Sequence, residues 1–351
     1  MAIGTLMIRA DAGGTVGAGH LMRCLALAEA WIERGGRAVM AVPAGLPDGL
    51  TARIQAIGAV FHGMAETPDA VEASLRLAVA ENADWIAVDG YRFGSDWLAA
   101  LAGTGRPVLA IDDDSRHDGY PVRLILNQNL HARTEDYAGK SDADLLLGPK
   151  NALIRSEFRT APGWRRAIPE RAENILVTLG GADPGGHTAR VLEALRLLGE
   201  SGAESPPSVR VIAGAANPRL DGLRGLAAEL DGVEILSDVR DMGAQMRWCD
   251  LAVSASGSTV WEMALFATPM LLGTASPVEE PVARSLDAAG AALHLGRLAE
   301  LRVEELAEAI TGAMVDHSLR SRLSNAAAGL VDGEGARRVV RHMLALCDGV
   351  A

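Results

Sequence analysis

The densest set of residues suited to chemistry lies near the N-terminus. Ala10–Gly19 reads ADAGGTVGAG, with His20 next and Arg23 three residues further on. Glycine lets backbone approach a ligand closely and take positive φ. A helix starting at His20 turns its free N–H groups and positive dipole end toward this loop. The pattern makes a seat for an anion or a polar ligand, with Gly17 and Gly19 leaving room beside the backbone; the plain alternative is a tight turn that binds nothing. GTVGAG meets the dinucleotide fingerprint only loosely, and the acidic residue that should follow about 20 positions later is not in place. His20 has two readings. At a helix N-terminus, which disfavours imidazolium, it is a proton acceptor and general base; otherwise it is a capping or surface histidine. Arg9 and Asp11 flank the loop. Arg23 falls in the first helical turn, where the dipole disfavours a cation. It therefore either pairs with Asp11 or another carboxylate, or helps hold the ligand.

A second constellation is Ser254–Glu262, SASGSTVWE, where an apolar strand runs into a Ser/Gly turn and then a helix. Amides and hydroxyls of Ser256, Gly257, Ser258 and Thr259 there suit a diphosphate. Glu262, one turn on, suits two ribose hydroxyls. The competing reading is an N-capping Ser258 or Thr259 with a solvated glutamate. Leu179–Gly186, LGGADPGG, adds Gly180 and Gly181 at the end of another strand. Asp112–Asp113–Asp114 suggests a metal, but hard-cation sites space their ligands, and three adjacent carboxylates on a regular backbone cannot all face one ion. No metal and no cofactor is expected.

The elements that position these loops alternate. Strands are predicted at Thr5–Arg9, Arg37–Val42, Ala59–His62, Trp85–Asp89, Val108–Asp112 and Leu124–Asn127, with a helix from about His20 to Arg34. A second series has strands at Asn174–Leu179, near Val209–Ala213 and Val233–Leu236, and at Leu251–Ser254 and Pro269–Leu272, with helices from Val303 to Leu346, the last starting near Gly335. Strand–helix alternation implies parallel sheets covered on both faces. The expected division is an N-terminal Rossmann-like domain over 1–158, a linker over 159–173 carrying Pro162, Gly163 and Pro169, a second Rossmann-like domain over 174–330, and a terminal helical segment over 331–351. Two such halves are expected to face each other across a cleft that takes the ligand.

Net charge is −12 and the only lysines are Lys140 and Lys150. Clustered basic charge, on which nucleic-acid and polybasic membrane binding depend, is absent, so neither partner is expected. No apolar run reaches the roughly 18 residues that span a bilayer. The start, MAIGTLMIRADAGG, reads as a first strand and not as a signal peptide. Three scattered cysteines, Cys24, Cys249 and Cys347, give no disulfide framework, and the cytoplasm is the expected location.

RADAGGTVGAGHLMRCLALAEAW resembles the N-terminal signature of the pseudaminic-acid-pathway hydrolases, which act on UDP-2,4-diacetamido-2,4,6-trideoxy-β-L-altropyranose. The pattern R-x-D-A followed by G-x-G-H-x-x-R-C-x-x-L-A falls on Arg9, Asp11, Ala12, Gly17, Gly19, His20, Arg23, Cys24, Leu27 and Ala28. VLAIDD, LLGPKNALIRSEF, ILVTLGGADP and SASGSTVWEMALFATPML are similar too, and the C-terminal segments are shared with GT-B glycosyltransferases. The resemblance implies a GT-B fold, UDP in the C-terminal domain held in part by Glu262, the sugar facing the N-terminal domain, and His20 as the catalytic histidine; as a separate hypothesis, Asp11 and Tyr91 position His20 or the sugar. The resemblance also implies hydrolysis of the UDP-sugar within nonulosonic acid synthesis and flagellin glycosylation; inversion at C1 is the expectation if His20 activates a water on the face opposite UDP. The sequence departs from the pattern at Asp89–Gly90–Tyr91, where D-H-Y or D-N-Y is frequent, and at Ser276–Glu280, where many relatives carry Asn-Gln. The rival readings are a GT-B glycosyltransferase with an acceptor hydroxyl in place of water, and a non-catalytic nucleotide-sugar binding protein that needs no His20.

Overall fold

The computed structural model describes residues 3–13, 17–65, 70–159, 164–200, 206–214 and 217–348. Gly14, Thr15 and Val16 of the first loop, and Pro162 and Gly163 of the expected linker, lie outside the described residues. The chain divides into two compact units, residues 1–156 with 332–351, and residues 157–331.

The first unit runs β1 (Thr5–Ala10), α1 (Gly19–Glu33), β2 (Arg37–Pro43), α2 (Asp48–Ala56), β3 (Val60–Met64), α3 (Ala70–Ala80), β4 (Ala83–Asp89), α4 (Ser95–Ala102), β5 (Val108–Ile111), β6 (Leu124–Asn127) and β7 (Asp144–Leu147). Its strands are parallel, in the order β3-β2-β1-β4-β5-β6-β7. Successive strand side chains point to opposite faces, and β1 shows the result. Leu6 and Ile8 enter a core with Leu21, Leu25 and Trp31 of α1, while Met7 enters another with Leu77 of α3 and Leu98 of α4. Burial on both faces is why β4 and β5 read as unbroken apolar runs, WIAV and VLAI. α1 stops at Arg34–Gly36, where Gly35 takes φ +87° and Trp31 donates its indole N–H to the Gly4 carbonyl at 3.2 Å.

The second unit runs β8 (Asn174–Thr178), α5 (His187–Glu200), β9 (Ser208–Ile212), α6 (Leu220–Ala228), β10 (Val233–Leu236), α7 (Met242–Trp248), β11 (Leu251–Ala255), α8 (Thr259–Leu265), β12 (Met270–Thr274), α9 (Glu280–Ala288), β13 (Leu293–Arg297), α10 (Val303–Val315) and α11 (His317–Ala327). It repeats the plan in parallel order β10-β9-β8-β11-β12-β13. The edge strands β7 and β13 are additions to the elements predicted from sequence. The irregular stretch from Trp164 to Glu173 belongs to this unit. Arg166 donates to the carbonyls of Phe266 (2.8 Å), Cys249 and Met246 (2.5 Å each), and Arg320 to those of Pro169 (2.5 Å) and Glu170 (3.0 Å). The last helix, α12 (Gly335–Asp348), returns to the first unit, where Ala336, Val339, Val340 and Met343 join the core around α1.

In each sheet the first strand is central and the strand order reverses beside it. The loops leaving the carboxyl ends of β1 and β4, and of β8 and β11, therefore emerge side by side, which is where open α/β sheets place ligands. No helix among the described residues is long and apolar enough to cross a membrane.

Candidate functional site

At the carboxyl edge of the first sheet the β1–α1 loop folds back on itself. Gly13 and Gly17, at φ +86° and +75°, are joined by a 2.8 Å bond from the Gly13 N–H to the Gly17 carbonyl. His20 follows in the first turn of α1. It is 7% exposed, lies edge-on to the Tyr91 ring with centroids 4.7 Å apart, and its Nδ1 has no hydrogen-bond partner. Tyr91 comes from the neighbouring loop after β4 and is 42% exposed. Burial, then the nearby Asp113, raise its phenol well above the ordinary value, so it stays protonated.

Arg23 lies one turn along α1 on the His20 side, 5% exposed. It donates to both oxygens of Asp89 at 2.7 Å, and to the two oxygens of Asp113 at 2.8 and 2.9 Å. Of the roles open to it, the pairing with carboxylates is the one formed, and its partners are Asp89 and Asp113 instead of Asp11. Burial opposes charge on both sides, yet Asp113 and Asp89 hold the guanidinium protonated, and Arg23 holds the Asp113 carboxyl below the usual carboxylate range. The Cys24 thiol donates to Asp89 at 3.3 Å, and burial together with that carboxylate pushes it up, which keeps it an unreactive thiol.

Asp11 is 4% exposed and pairs with Arg92; burial raises its carboxyl against the pull of Arg92, Arg9 and His20. Gly90 bears on this. At φ +153° it lies where a Cβ would stand 2.5 Å from Asp11 Oδ2. The Asp11 carboxylate fills the space a side chain at position 90 would enter, so the glycine of Asp89–Gly90–Tyr91 has a steric reason. Arg9, expected from sequence to bind substrate, is fully buried. It donates to the carbonyls of Ala10 (3.0 Å) and Ala41 (3.1 Å) and lies 5.0 Å from the Phe93 ring centroid. Its place on β1 sends it to the sheet face covered by α4, beneath the start of the loop.

The three consecutive aspartates diverge. Asp112 accepts from the hydroxyls of Tyr137 (2.7 Å) and Tyr120 (3.1 Å) and from the Ser115 N–H (2.9 Å). Asp113 takes Arg23 and the Asn129 amide (3.0 Å), and Asp114 lies 3.8 Å from Arg116. No group of three His, Cys, Asp or Glu side chains among the described residues could hold a metal ion. Arg116 lies 4.9 Å over the Tyr91 ring and donates to the Tyr91 carbonyl. Between these groups is a hollow of about 20 Å³, lined by His20, Arg23, Asp89, Gly90, Tyr91 and Asp113 among others. That volume accommodates about one water molecule.

The second unit offers backbone more than side chains. Gly180, at φ +89°, ends β8, and Gly181 is packed so tightly on the next loop that a Cβ at Gly214 would stand 2.6 Å from its carbonyl. The N-terminus of α5 is capped from within: the Asp183 carboxylate accepts the N–H groups of His187 (2.9 Å) and Thr188 (2.8 Å). After β11, the Ser256 hydroxyl is turned inward to the Gly273 carbonyl at 3.0 Å and the residue is 1% exposed, so the expected outward hydroxyl is absent at that position. Glu279, from the loop after β12, accepts N–H groups from Ala275 (2.7 Å), Ser256 and Ser276. Gly257, Ser258 and Thr259 are half-buried at the start of α8; the Ser258 side chain makes no capping bond, and Glu262 follows, half-buried, in the first turn.

Sequence reasoning named His20, Asp11, Tyr91 and Arg23, and the structure brings all four to one sheet edge. The sequence places Asp89 at a strand end and Asp113 in a run of three aspartates that suggests a metal; their position at the end of β4 and just beyond β5 is the signal that they meet Arg23.

No family model matches the chain. It is 28% identical over 198 residues to the spore coat polysaccharide biosynthesis protein SpsG of Bacillus subtilis, covering 55% of this chain and 56% of that protein. An uncharacterised protein of Methanocaldococcus jannaschii is matched over 40% of its length, so the chain spans about half the length of these curated relatives. The UDP-2,4-diacetamido-2,4,6-trideoxy-beta-L-altropyranose hydrolase of Campylobacter jejuni is 22% identical over 264 residues, 74% of this chain and 88% of that one. Among solved structures, S. aureus MnaA with UDP superposes with a TM-score of 0.72 at 14% identity, covering 98% of this chain and 97% of that one. Acinetobacter baumannii MurG does so with 0.70 at 16% identity, covering 96% and 98%. With two parallel Rossmann-like sheets and these neighbours, the chain has the GT-B fold.

Proposed function

We propose that the protein hydrolyses a UDP-activated diacetamido-trideoxy sugar at C1, releasing UDP and the free sugar for nonulosonic (pseudaminic) acid synthesis. The observation that carries this reading is His20: a largely buried imidazole with an unpartnered Nδ1, held against Tyr91 at the switch point of the first sheet and opening on a hollow of one water's size. The similarity to the Campylobacter hydrolase along three quarters of the chain supports it.

In the proposed reaction His20 takes a proton from water as the oxygen bonds to C1. The C1–O bond to the diphosphate breaks on the opposite face with its electron pair going to UDP, and C1 inverts. UDP is a weak base and leaves without a strong acid, so the two carboxylates of ordinary glycoside hydrolysis are not required. Asp11 and Tyr91 position the sugar or His20. UDP is assigned to the second unit: Gly180, Gly181, Gly257, Ser258 and Thr259 through backbone N–H groups and the last two hydroxyls, with Glu262 on the ribose. The likeness to a rhamnosyltransferase structure favours a second reading, in which an acceptor hydroxyl replaces water at His20. Measuring UDP release by parent and His20→Asn, with and without candidate acceptors, separates them: release without acceptor that needs His20 supports hydrolysis, and release only with an acceptor overturns it.

A further inference from the structure

His20 shares its helix face with a cation. A bare Arg23 guanidinium one turn away would oppose a second positive charge on the imidazole. Instead, two carboxylates, each bidentate, enclose Arg23, and this buried group carries one net negative charge. The other titratable groups around His20 are largely matched. Asp11 at the end of β1 pairs with Arg92, Asp112 accepts from the Tyr120 and Tyr137 hydroxyls, Asp114 lies near Arg116, and Tyr91 and His117 also border the hollow. Asp89 borders the same hollow but is 0% exposed and is further occupied by the Cys24 thiol. Asp113 is 12% exposed, lines the hollow with His20, and is fixed from behind by the Asn129 amide.

Resting on the reading of His20 as the base, we infer that Asp113 is a positioning residue for the reaction: its carboxylate, held by Arg23 and Asn129, stabilises the imidazolium formed when His20 takes the proton from water. The proton stays on His20, and Asp113 remains ionised throughout. Asp11 and Asp113 both interact electrostatically with His20, and they differ in a way that selects Asp113. Burial raises the Asp11 carboxyl, whereas Arg23 keeps that of Asp113 low and the group charged.

Asp113→Asn keeps the shape and leaves Arg23 both bonds to Asp89, so the fold should persist, as circular dichroism can verify. The test is an NMR pH titration of the His20 imidazole, assigned among the eight histidines by its loss in His20→Asn, together with the pH profile of UDP release. In Asp113→Asn the His20 midpoint and the acid limb of turnover should both move down by about one pH unit. Turnover at neutral pH should fall about tenfold and KM by less than about threefold, with Asp113→Glu restoring most of the loss. A His20 midpoint unchanged in Asp113→Asn overturns the inference, even if turnover drops. Parental turnover in His20→Asn would instead sink the base reading, and the titration would still decide whether Asp113 and His20 are coupled.

Discussion

The two sheets share a strand order and differ in what their carboxyl edges present. On the first, the loops deliver charged side chains that commit to one another: Arg23 between Asp89 and Asp113, Asp11 with Arg92, and Tyr91 between His20 and Arg116. On the second, the loops deliver glycine and amides, and the carboxylates of Asp183 and Glu279 are folded back as caps on their own backbone. One scaffold thus supports an edge suited to moving a proton and an edge suited to holding a ligand by its backbone, and the loops decide which.

The comparison breaks most visibly at Arg23. Arg23→Ala leaves two buried carboxylates without their cation and should cost about 3–5 kcal/mol of stability in urea unfolding; a cost below about 1 kcal/mol would show that the first edge is not built on charge. Next is His20→Asn, for which turnover should drop about a hundredfold or more while UDP affinity, measured by calorimetry, stays within about twofold. An equal loss in both would dissolve the division of labour between the edges. Glu262→Ala should weaken UDP binding by about 1–3 kcal/mol if the carboxylate holds ribose hydroxyls; unchanged affinity removes it from the site.

A smaller effect is expected with pH. The Asp113 carboxyl is depressed in the folded state, so its contribution is present above the unfolded value near pH 4 and is lost as pH falls below it. The parent should therefore lose more stability than Asp113→Asn between about pH 5 and pH 2. The smallest is no effect at all. Turnover in EDTA should match turnover without it, because Asp112 and Asp113 are committed to tyrosines and Arg23; loss restored by magnesium would reverse this.

Much of this was legible in the sequence. Among the described residues, eleven of thirteen strands were expected from sequence; for the inner ones the reason is that burial on both faces of a parallel sheet writes an apolar run that needs no partner to be read. The edge strands β7 and β13, DLLL and LHLGR, were not read, although the no less exposed edges β3 and β10 were. His20, Asp11 and Tyr91 were found because loop and helix start are local signals. The partners of Arg23 were not, since Asp89 and Asp113 lie 66 and 90 residues away and only the strand order brings them together. The burial of Arg9 was not legible for a related reason: alternation along β1 decides its face, and the covering aromatics, Phe93 and Trp97, come from distant sequence.

The return of α12 to the first unit has a consequence for synthesis. All seven strands of the first sheet have been made by residue 147, yet the face around Leu21, Leu25 and Trp31 lacks Val339, Val340 and Met343 until residues 335–348 leave the ribosome. The second unit is contiguous and lies wholly within that interval. Domains generally complete in the order they are made; here the first unit cannot complete its core until its last helix, translated after the whole second unit, has emerged.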